Sequence, residues 1–224
     1  YSQQEPRLVT EYALRFKLAS VNEIADSYDH NPNADFHQLV SEMAKIPRSQ
    51  AKVINLGLFY GMGKAKLMAE LGVTKDKADE LFGVYHSKVP FVKQLTNKLM
   101  TAAQRNGKIK TILNRKCRFP KYEPILKGND WGRFVPAQDH ERMLELQAMG
   151  PYIKDEEGEF IKDKDGNKQK NYWHENDSRR AFTYKALNKL IQGSAADMTK
   201  KAMLDLYKEG ITPHIQIHDE LDIS

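Results

Sequence analysis

Four residues spaced four apart, from Arg48 to Tyr60, form the pattern in this sequence that is best suited to chemistry. Arg48 and Lys52 are followed at the same interval by Leu56 and Tyr60. On a helix, this interval keeps the four side chains on one face. The two cations could meet the phosphates of a nucleotide, while the apolar and aromatic groups lie near its sugar and base. Spacing alone favours a plainer interpretation, an amphipathic helix with a basic edge.

A second pattern is the polar cluster His218, Asp219 and Glu220 near the end of the chain. Alternating apolar residues on both sides predict two short strands, with the acids at the turn between them. Carboxylate oxygens are the ligands that magnesium prefers, and an acid at a turn can reach an ion without burying its backbone. Taken alone, such a cluster is more often an ordinary polar turn.

The charge distribution favours a polyanionic partner. The chain has 224 residues and a net charge of +5, and neither 45–66 nor 81–122 contains an acid. A basic run is usually a solvated face, but two long acid-free stretches in a chain with 30 acids favour a nucleic-acid surface. Arg115 and Arg118 in the second stretch are candidates for phosphate contacts, with plain solvent exposure as the equal alternative.

Composition excludes several classes of protein. The single cysteine, Cys117, rules out an intramolecular disulfide framework and a Cys-rich zinc site, and it fits a reducing cytosol. No apolar run approaches the length that spans a bilayer, and no signal peptide opens the chain, so we expect no membrane partner.

The elements that must position these residues are mostly helical, and the predicted fold class is α+β, a mostly helical part with a short antiparallel sheet. Helical spacing and capping residues predict helices over 8–28, 36–44 (with Asp35 as N-cap), 47–60, 74–84, 90–105, 138–149 and 178–208. Alternation predicts a short hairpin strand over 108–119. Alternation and turn residues predict hairpins around Asp165-Gly166 and at the cluster near the end of the chain.

Four segments together resemble the motifs of family A, the DNA polymerase I-like family. Residues 48–61 (RSQAKVINLGLFYG) resemble motif B, and residues 1–7 (YSQQEPR) resemble motif A without its leading aspartate. Residues 217–222 (IHDELD) resemble motif C, and 188–197 (NKLIQGSAAD) resemble the helix that precedes it. The motifs follow the family's order, and their wording is closest to phage-type members. The resemblance implies a piece of a larger polymerase that runs from motif A to motif C.

The resemblance implies nucleotidyl transfer that is supported by two magnesium ions. It implies that Asp219 and the carbonyl of Tyr1 bind metal, together with an aspartate expected just before Tyr1. It also implies that Glu220 supports the metals or a water nearby, so Asp219 and Glu220 are the predicted catalytic residues. Such a reaction depends on positioning and charge neutralisation more than on covalent work by the protein.

The resemblance also implies ligands for the incoming dNTP. Glu5 resembles the steric gate that fills the space of a ribose 2′-hydroxyl, and Arg48 and Lys52 resemble the triphosphate ligands. Tyr60 resembles the aromatic that covers the templating pair. Leu56 departs from the family, which usually has Phe or Tyr there, and this departure bears on discrimination between sugars.

Contacts to primer–template DNA are implied at three further positions, Asn188, Gln192 and His218. For the first two, spacing alone would favour ordinary amides on a helix surface. Tyr184 departs from the family, since many members carry an arginine there. Residues 130–177 match no motif of the family, and we interpret them as a hairpin-bearing insertion.

The implied organisation is palm at 1–30, fingers at 31–177 and palm again at 178–224. The expected role is DNA synthesis in viral replication, in the host cytoplasm, with residues 1–224 inactive by themselves. One alternative is a single-subunit RNA polymerase, although such enzymes usually lack the Glu5 gate and the acid after Asp219. A non-catalytic DNA-binding relic is the other alternative.

Overall fold

The computed structural model describes residues 3–31, 33–60, 62, 64–217 and 220–223. The chain divides into two compact units. The first contains Tyr1–Ala102, Ile109–Cys117 and Tyr184–Ser224, and the second contains Ala103–Lys108 and Arg118–Thr183. Helices and small antiparallel sheets make up both, so the α+β class is confirmed. None of the described helices is long and apolar enough to cross a membrane.

The first unit begins with two helices, α1 (Gln4–Arg15) and α2 (Asn22–His30). The single helical stretch predicted over 8–28 is therefore wrong. Lys17 and Ser20 between them adopt left-handed backbone conformations, with φ of 51° and 60°. A right-handed helix cannot continue through such residues, because it requires a negative φ, about −63°, at every position.

The next two helices are α3 (Phe36–Ala44) and α4 (Arg48–Phe59). Helix α4 carries Arg48, Lys52 and Leu56 of the predicted four-residue pattern, and Tyr60 is its C-cap. Asp35 is confirmed as the N-cap of α3, because its side chain accepts hydrogen bonds from the backbone N–H groups of His37 and Gln38. Pro47 lies at the N-cap of α4, one position before the first turn predicted for it.

Three more helices follow: α5 (Lys64–Leu71), α6 (Lys75–Lys88) and α7 (Pro90–Asn106). Thr74 caps α6 as predicted, but the helix runs four residues past the predicted end at Val84. A Cβ at Gly57 of α4 would lie 2.6 Å from Leu67 Cδ1, so the absent side chain allows α4 and α5 to pack closely.

The hairpin strand predicted over 108–119 is instead two short paired strands, β1 (Lys108–Lys110) and β2 (Lys116–Arg118), which form a hairpin. Its turn is closed by a 2.9 Å hydrogen bond from the Thr111 N–H to the Arg115 carbonyl. Asn114 adopts a left-handed conformation in this turn, with φ of 65°, as asparagine does more readily than most residues.

In the second unit, β3 (Tyr122–Pro124) pairs antiparallel with β4 (Ser178–Arg180). Helix α8 (His140–Ala148) covers most of the segment predicted over 138–149, and a small core of Met143, Leu146 and Trp173 packs beneath it. The turn at Asp165-Gly166 is confirmed by a bridge between Lys162 and Lys168, but its flanks form isolated bridges rather than strands. Residues 155–170 are all exposed, so no buried face stabilises a longer ladder.

The chain returns to the first unit with its longest helix, α9 (Ala186–Lys208). The prediction of a helix from residue 178 is wrong, because 178–180 pair as β4 and a 3₁₀ turn at Thr183–Lys185 precedes α9. Strands β5 (Pro213–Ile217) and β6 (Glu220–Ile223) then pair antiparallel, as predicted. Three residues with predicted roles, Tyr1, His218 and Asp219, lie outside the described residues.

Candidate active site

Helices α1 and α9 are fixed against each other next to the predicted sugar gate. The Tyr12 hydroxyl lies 2.7 Å from Ser194 Oγ, and the Gln4 amide donates to the Ala195 carbonyl at 3.2 Å. Ser194 is fully buried and Tyr12 and Gln4 are nearly so. These contacts fix the position of the first turn of α1, which carries Glu5, relative to residues 194 and 195 of α9.

The Glu5 carboxylate gathers two donors from distant parts of the chain. The Tyr60 hydroxyl, directly after α4, lies 2.9 Å and 2.8 Å from the two carboxylate oxygens. The Gln192 amide of α9 donates to Glu5 Oε1 at 2.5 Å. Burial, together with the hydrogen bond to Glu5 and its charge, raises the pKa of Tyr60 to about 12. Tyr60 therefore stays a proton donor throughout the physiological pH range.

Glu5 and Gln192 border a cavity of about 450 Å³, within the size range of small-molecule sites. Four residues with predicted roles line it: Glu5, Lys52, Leu56 and Gln192. The cavity therefore brings together a carboxylate, a cation, an apolar side chain and an amide that come from α1, α4 and α9. This combination suits a ligand with an anionic end and an apolar or hydroxylated end.

Arg48 does not line this cavity; it pairs with Asp35 at the start of α3. Its Nη2 and Nε lie 2.5 Å and 3.0 Å from Asp35 Oδ2. Partial burial acts to raise the pKa of the Asp35 carboxyl, but hydrogen bonds from Arg48 and from two backbone N–H groups outweigh it and lower the pKa. Arg48 is half exposed, so its remaining donors can still meet an anion.

A buried polar chain behind the cavity was not predicted from the sequence. The Tyr85 hydroxyl donates to Asn55 Oδ1 at 2.6 Å, and Asn55 Nδ2 lies 3.0 Å from His37 Nδ1. Because an amide nitrogen can only donate, His37 accepts at Nδ1 and carries its proton on Nε2. Burial lowers the pKa of His37, and the nearby cations Arg48 and Lys52 act in the same direction. The charge of Asp35 opposes them but does not outweigh them, so the neutral form is favoured.

His37 also lines the cavity, so it is a site residue that the sequence analysis missed. No spacing rule marks a single histidine on an amphipathic helix as functional. Its partner Asn55 lies eighteen residues away and would look like an ordinary interior residue of α4. The signal arises only when α3, α4 and α6 pack together.

Arg115, a predicted DNA contact, is bound into the hairpin turn. Its Nε lies 2.6 Å from Asp197 Oδ1 and its Nη2 donates to the Gly193 carbonyl at 2.7 Å. Thr111 also donates to the nearly buried Asp197 carboxylate. The Arg115 side chain remains half exposed, so it combines a structural contact with an accessible cationic surface.

The other predicted DNA contacts lie in different places. Asn188 is one turn before Gln192 on α9 and is partly exposed. Arg118 is exposed and belongs to the second unit. Tyr184, where the family pattern has arginine, is also exposed.

Glu220 opens β6 and lines a different, larger cavity of about 850 Å³ with residues from the end of α9. None of the predicted nucleotide ligands lines that cavity. Within the described ranges, no three His, Cys, Asp or Glu side chains gather closely enough to hold a metal ion. The predicted metal ligands Asp219 and Tyr1 are not among those residues.

The sequence matches the family described as DNA polymerase family A over residues 1–224, and the chain belongs to that family. Family A DNA polymerases are generally metal-dependent.

Named relatives agree with this membership. The chain is similar to a DNA-directed DNA polymerase of Pseudomonas phage M6, with 31% identity over the whole chain and 32% of the relative. It is also similar to DNA polymerase I of Geobacillus stearothermophilus, with 26% identity over 83% of the chain and 16% of the relative. The chain thus spans about a third or less of the length of these relatives.

A solved structure shares the fold. The POL domain of Pol1 from M. smegmatis, in complex with DNA primer-template and dNTP, superposes with a TM-score of 0.60. The match covers 99% of this chain and 32% of that chain, at 21% sequence identity.

Proposed function

We propose that the protein carrying this chain performs template-directed DNA synthesis, adding deoxynucleotides from dNTPs to a primer 3′-hydroxyl. The observation that carries the proposal is the arrangement of Glu5, Gln192, Lys52 and Leu56 around one cavity in a chain of DNA polymerase family A. Tyr60 and Gln192 both donate hydrogen bonds to the Glu5 carboxylate there. Primer–template DNA and dNTP are the partners named for the M. smegmatis Pol1 complex that shares the fold.

The anionic end of a nucleotide would meet the cationic side of the cavity. Lys52 lines it directly, and the half-exposed Arg48 lies one turn earlier on α4. His37 adds a neutral N–H donor, which can bind a phosphate oxygen without a change of protonation. The main electrostatic task in phosphoryl transfer is to neutralise the negative charge of the triphosphate.

The sugar end would meet Glu5. Its carboxylate would occupy the space of a ribose 2′-hydroxyl, while Leu56 supplies apolar surface nearby and Tyr60 supports the base pair from the end of α4. Selection against a ribonucleotide would then be steric and electrostatic. The Glu5 carboxylate could move away from a 2′-hydroxyl only by breaking its own hydrogen bonds.

We further propose that Asp219, the Tyr1 carbonyl and an aspartate before Tyr1 hold two magnesium ions, with Glu220 as a supporting acid. When bound, such ions stabilise the charge on the attacking and leaving oxygens. Asn188, Gln192, His218, Arg115 and Arg118 are the proposed DNA contacts. These five residues would bind and orient the primer–template duplex, largely through its backbone phosphates.

At the level of organisation, we propose palm at 1–30 and 178–224 and fingers at 31–177, with an insertion at about 130–177. The match to a Pseudomonas phage polymerase supports a role in viral DNA replication, in the host cytoplasm. An aspartate directly before Tyr1 in the gene would support an enzyme. Asparagine or alanine at that position would support a DNA-binding relic instead.

The test of the proposed function is primer extension by the full-length protein. Asp219→Ala should abolish extension and leave DNA binding nearly intact, because a proposed metal ligand is lost but no phosphate contact. Asp222→Ala is the matched control: this exposed acid lies on β6, three residues further along the chain, and should retain activity. Extension by Asp219→Ala at even a tenth of the normal rate would overturn the assignment.

A further inference from the structure

We propose that Gln192 is a specificity-determining residue for the sugar of the incoming nucleotide, because it positions Glu5. This inference rests on the proposed function, and it gives Gln192 a task beyond contact with DNA. The direct observation is the 2.5 Å hydrogen bond from the Gln192 amide to Glu5 Oε1, across 187 residues of sequence.

Tyr60 alone does not fix the carboxylate. Its single hydroxyl proton is shared between the two oxygens of Glu5, at 2.9 Å and 2.8 Å, and a shared donor resists rotation of the carboxylate weakly. Gln192 adds a second donor, directed at one oxygen only. Two donors from different directions define both the position and the plane of the carboxylate.

The backbone around Gln192 is itself anchored to the helix that carries Glu5. Ser194 contacts Tyr12 of α1, and the Ala195 carbonyl accepts from Gln4, the neighbour of Glu5. Ile191 is fully buried next to Gln192. Gln192 therefore projects from a rigid part of α9, so its amide serves as a fixed reference point for the gate.

The length of the side chain is a part of this arrangement. Asparagine at position 192 would lack one methylene and could not span the same distance, whereas glutamate has the right length but no proton at high pH. A glutamate would face Glu5 at hydrogen-bond distance, and two such carboxylates share a proton only at lower pH.

The experiment measures kcat/KM for each dNTP and its matching ribonucleotide with the full-length protein. Gln192→Ala should lower the deoxy-to-ribo ratio about 3- to 10-fold, the loss expected for one charge-assisted hydrogen bond in a partly exposed site. Asn188→Ala is the matched control, since it removes an amide one turn earlier on α9. It should weaken DNA binding and leave the ratio unchanged.

A double substitution separates positioning from contact with DNA. In a Glu5→Ala background, Gln192→Ala should cause no further change in the ratio, because the group that it positions is gone. An equal fall in the ratio with and without Glu5 would overturn the inference. An unchanged ratio in the single Gln192→Ala variant would overturn it as well.

The variant Gln192→Glu supplies a signature that a purely structural role would not produce. Its deoxy-to-ribo ratio should approach the wild-type value at low pH, where the two acids share a proton, and should fall as the pH rises and they repel each other. The wild-type ratio should stay flat over the same range. A flat profile for the variant would contradict the inference, whereas a wild-type protein without polymerase activity would refute the proposed function instead.

Discussion

The Glu5 carboxylate accepts hydrogen bonds from two residues that are remote in sequence, Tyr60 and Gln192. Each of them belongs to a different helical region, so the position of the Glu5 carboxylate depends on how α1, α4 and α9 pack together. The high pKa of Tyr60, about 12, keeps its hydroxyl proton in place for this contact. At the scale of single residues, the proposed sugar selection would therefore depend on a small hydrogen-bonded cluster rather than on one bulky group.

Replacement of Glu5 tests this cluster directly. Glu5→Ala should lower the ratio of deoxy- to ribonucleotide kcat/KM by at least about tenfold, because both the volume and the charge that oppose a 2′-hydroxyl are lost. The measurement is single-nucleotide insertion by the full-length protein.

Glu11→Ala is the control for Glu5→Ala. Glu11 lies on the same helix, has a side chain that is 44% exposed, and pairs with Arg15 at 2.6 Å. Its loss should leave the ratio unchanged. If the ratio also stays constant in Glu5→Ala, Glu5 is not the gate.

At the scale of elements, α9 is the helix to which the other parts of the site attach. Its buried residues Ser194 and Asp197 hold α1 and the β1–β2 hairpin turn, while Gln192 reaches the cavity. The absence of a side chain at Gly193 allows the hairpin turn to approach α9, because a Cβ there would lie 2.9 Å from Thr111 Cγ2. The hairpin turn can therefore pack close to the helix backbone, directly beside Gln192.

Two aspartates of α9 allow a matched test of this attachment. Asp197 is 7% exposed and accepts from Thr111 and Arg115, whereas Asp205 is half exposed and pairs with Lys201. Asp197→Ala should lower the free energy of unfolding by about 1–3 kcal/mol, because the buried Thr111 hydroxyl loses its acceptor. Asp205→Ala should change it by less than about 0.5 kcal/mol, since exposed ion pairs contribute little.

Urea unfolding of both variants measures this difference. A lower midpoint with an unchanged m-value identifies a loss of stability rather than a change in compactness. Equal effects of the two substitutions would show that the buried acceptor does not anchor the hairpin.

At the scale of the whole molecule, two compact units share an excess of basic residues that is unevenly spread along the chain. The acid-free stretches 45–66 and 81–122 contrast with the mixed charges of 155–165. A polymerase must hold a strongly anionic duplex whatever its sequence, and phosphate contacts supply this kind of affinity. The chain itself is about a third of the length of its phage M6 relative.

Residues 1–224 alone should bind DNA without polymerising it. Binding should be weak and independent of sequence, and it should fall steeply with salt, with a log–log slope of about −0.9 per phosphate neutralised. No extension is expected with magnesium and four dNTPs, because the proposed aspartate before Tyr1 is not included. A salt titration of DNA affinity, with circular dichroism to establish folding, measures this.

A pair of triple variants locates the binding surface. Replacement of Lys108, Lys110 and Lys116 by glutamine removes three exposed cations from an acid-free stretch, and it should reduce the salt slope by up to about 3. The same change at Lys162, Lys164 and Lys168 removes equal charge from exposed positions among acids, and it should have a smaller effect. Equal effects, or salt-insensitive binding, would mean that the acid-free stretches are merely solvated faces.

Much of the secondary structure follows from local chemistry and was predictable from the sequence. Asp35 and Thr74 cap their helices because short polar side chains can satisfy free N–H groups, whatever surrounds them. The four-residue interval from Arg48 to Tyr60 fixed one face of α4, and the alternating residues near the end of the chain fixed a hairpin. The order of the motifs predicted the family.

Other features depended on partners far along the chain. Residues 178–180 lie in a predicted helix, yet they form a strand because they pair antiparallel with Tyr122–Pro124. Local propensity is worth only tenths of a kcal/mol per residue, so such a pairing overrides it. The predicted helix over 8–28 breaks for a related reason, since the left-handed residues Lys17 and Ser20 let α2 pack against α1 as a separate helix.

The sequence by itself therefore determined the family, the α+β class and the residue types at the site, because these depend on composition, spacing and order. Only the tertiary structure decided that Gln192 contacts Glu5, that Asp35 pairs with Arg48, and that Asn55 contacts His37 at the cavity wall. Each of these contacts joins side chains from separate elements. Their geometry depends on how whole helices pack. The burial of apolar faces sets that packing, and no single position in the sequence reveals it.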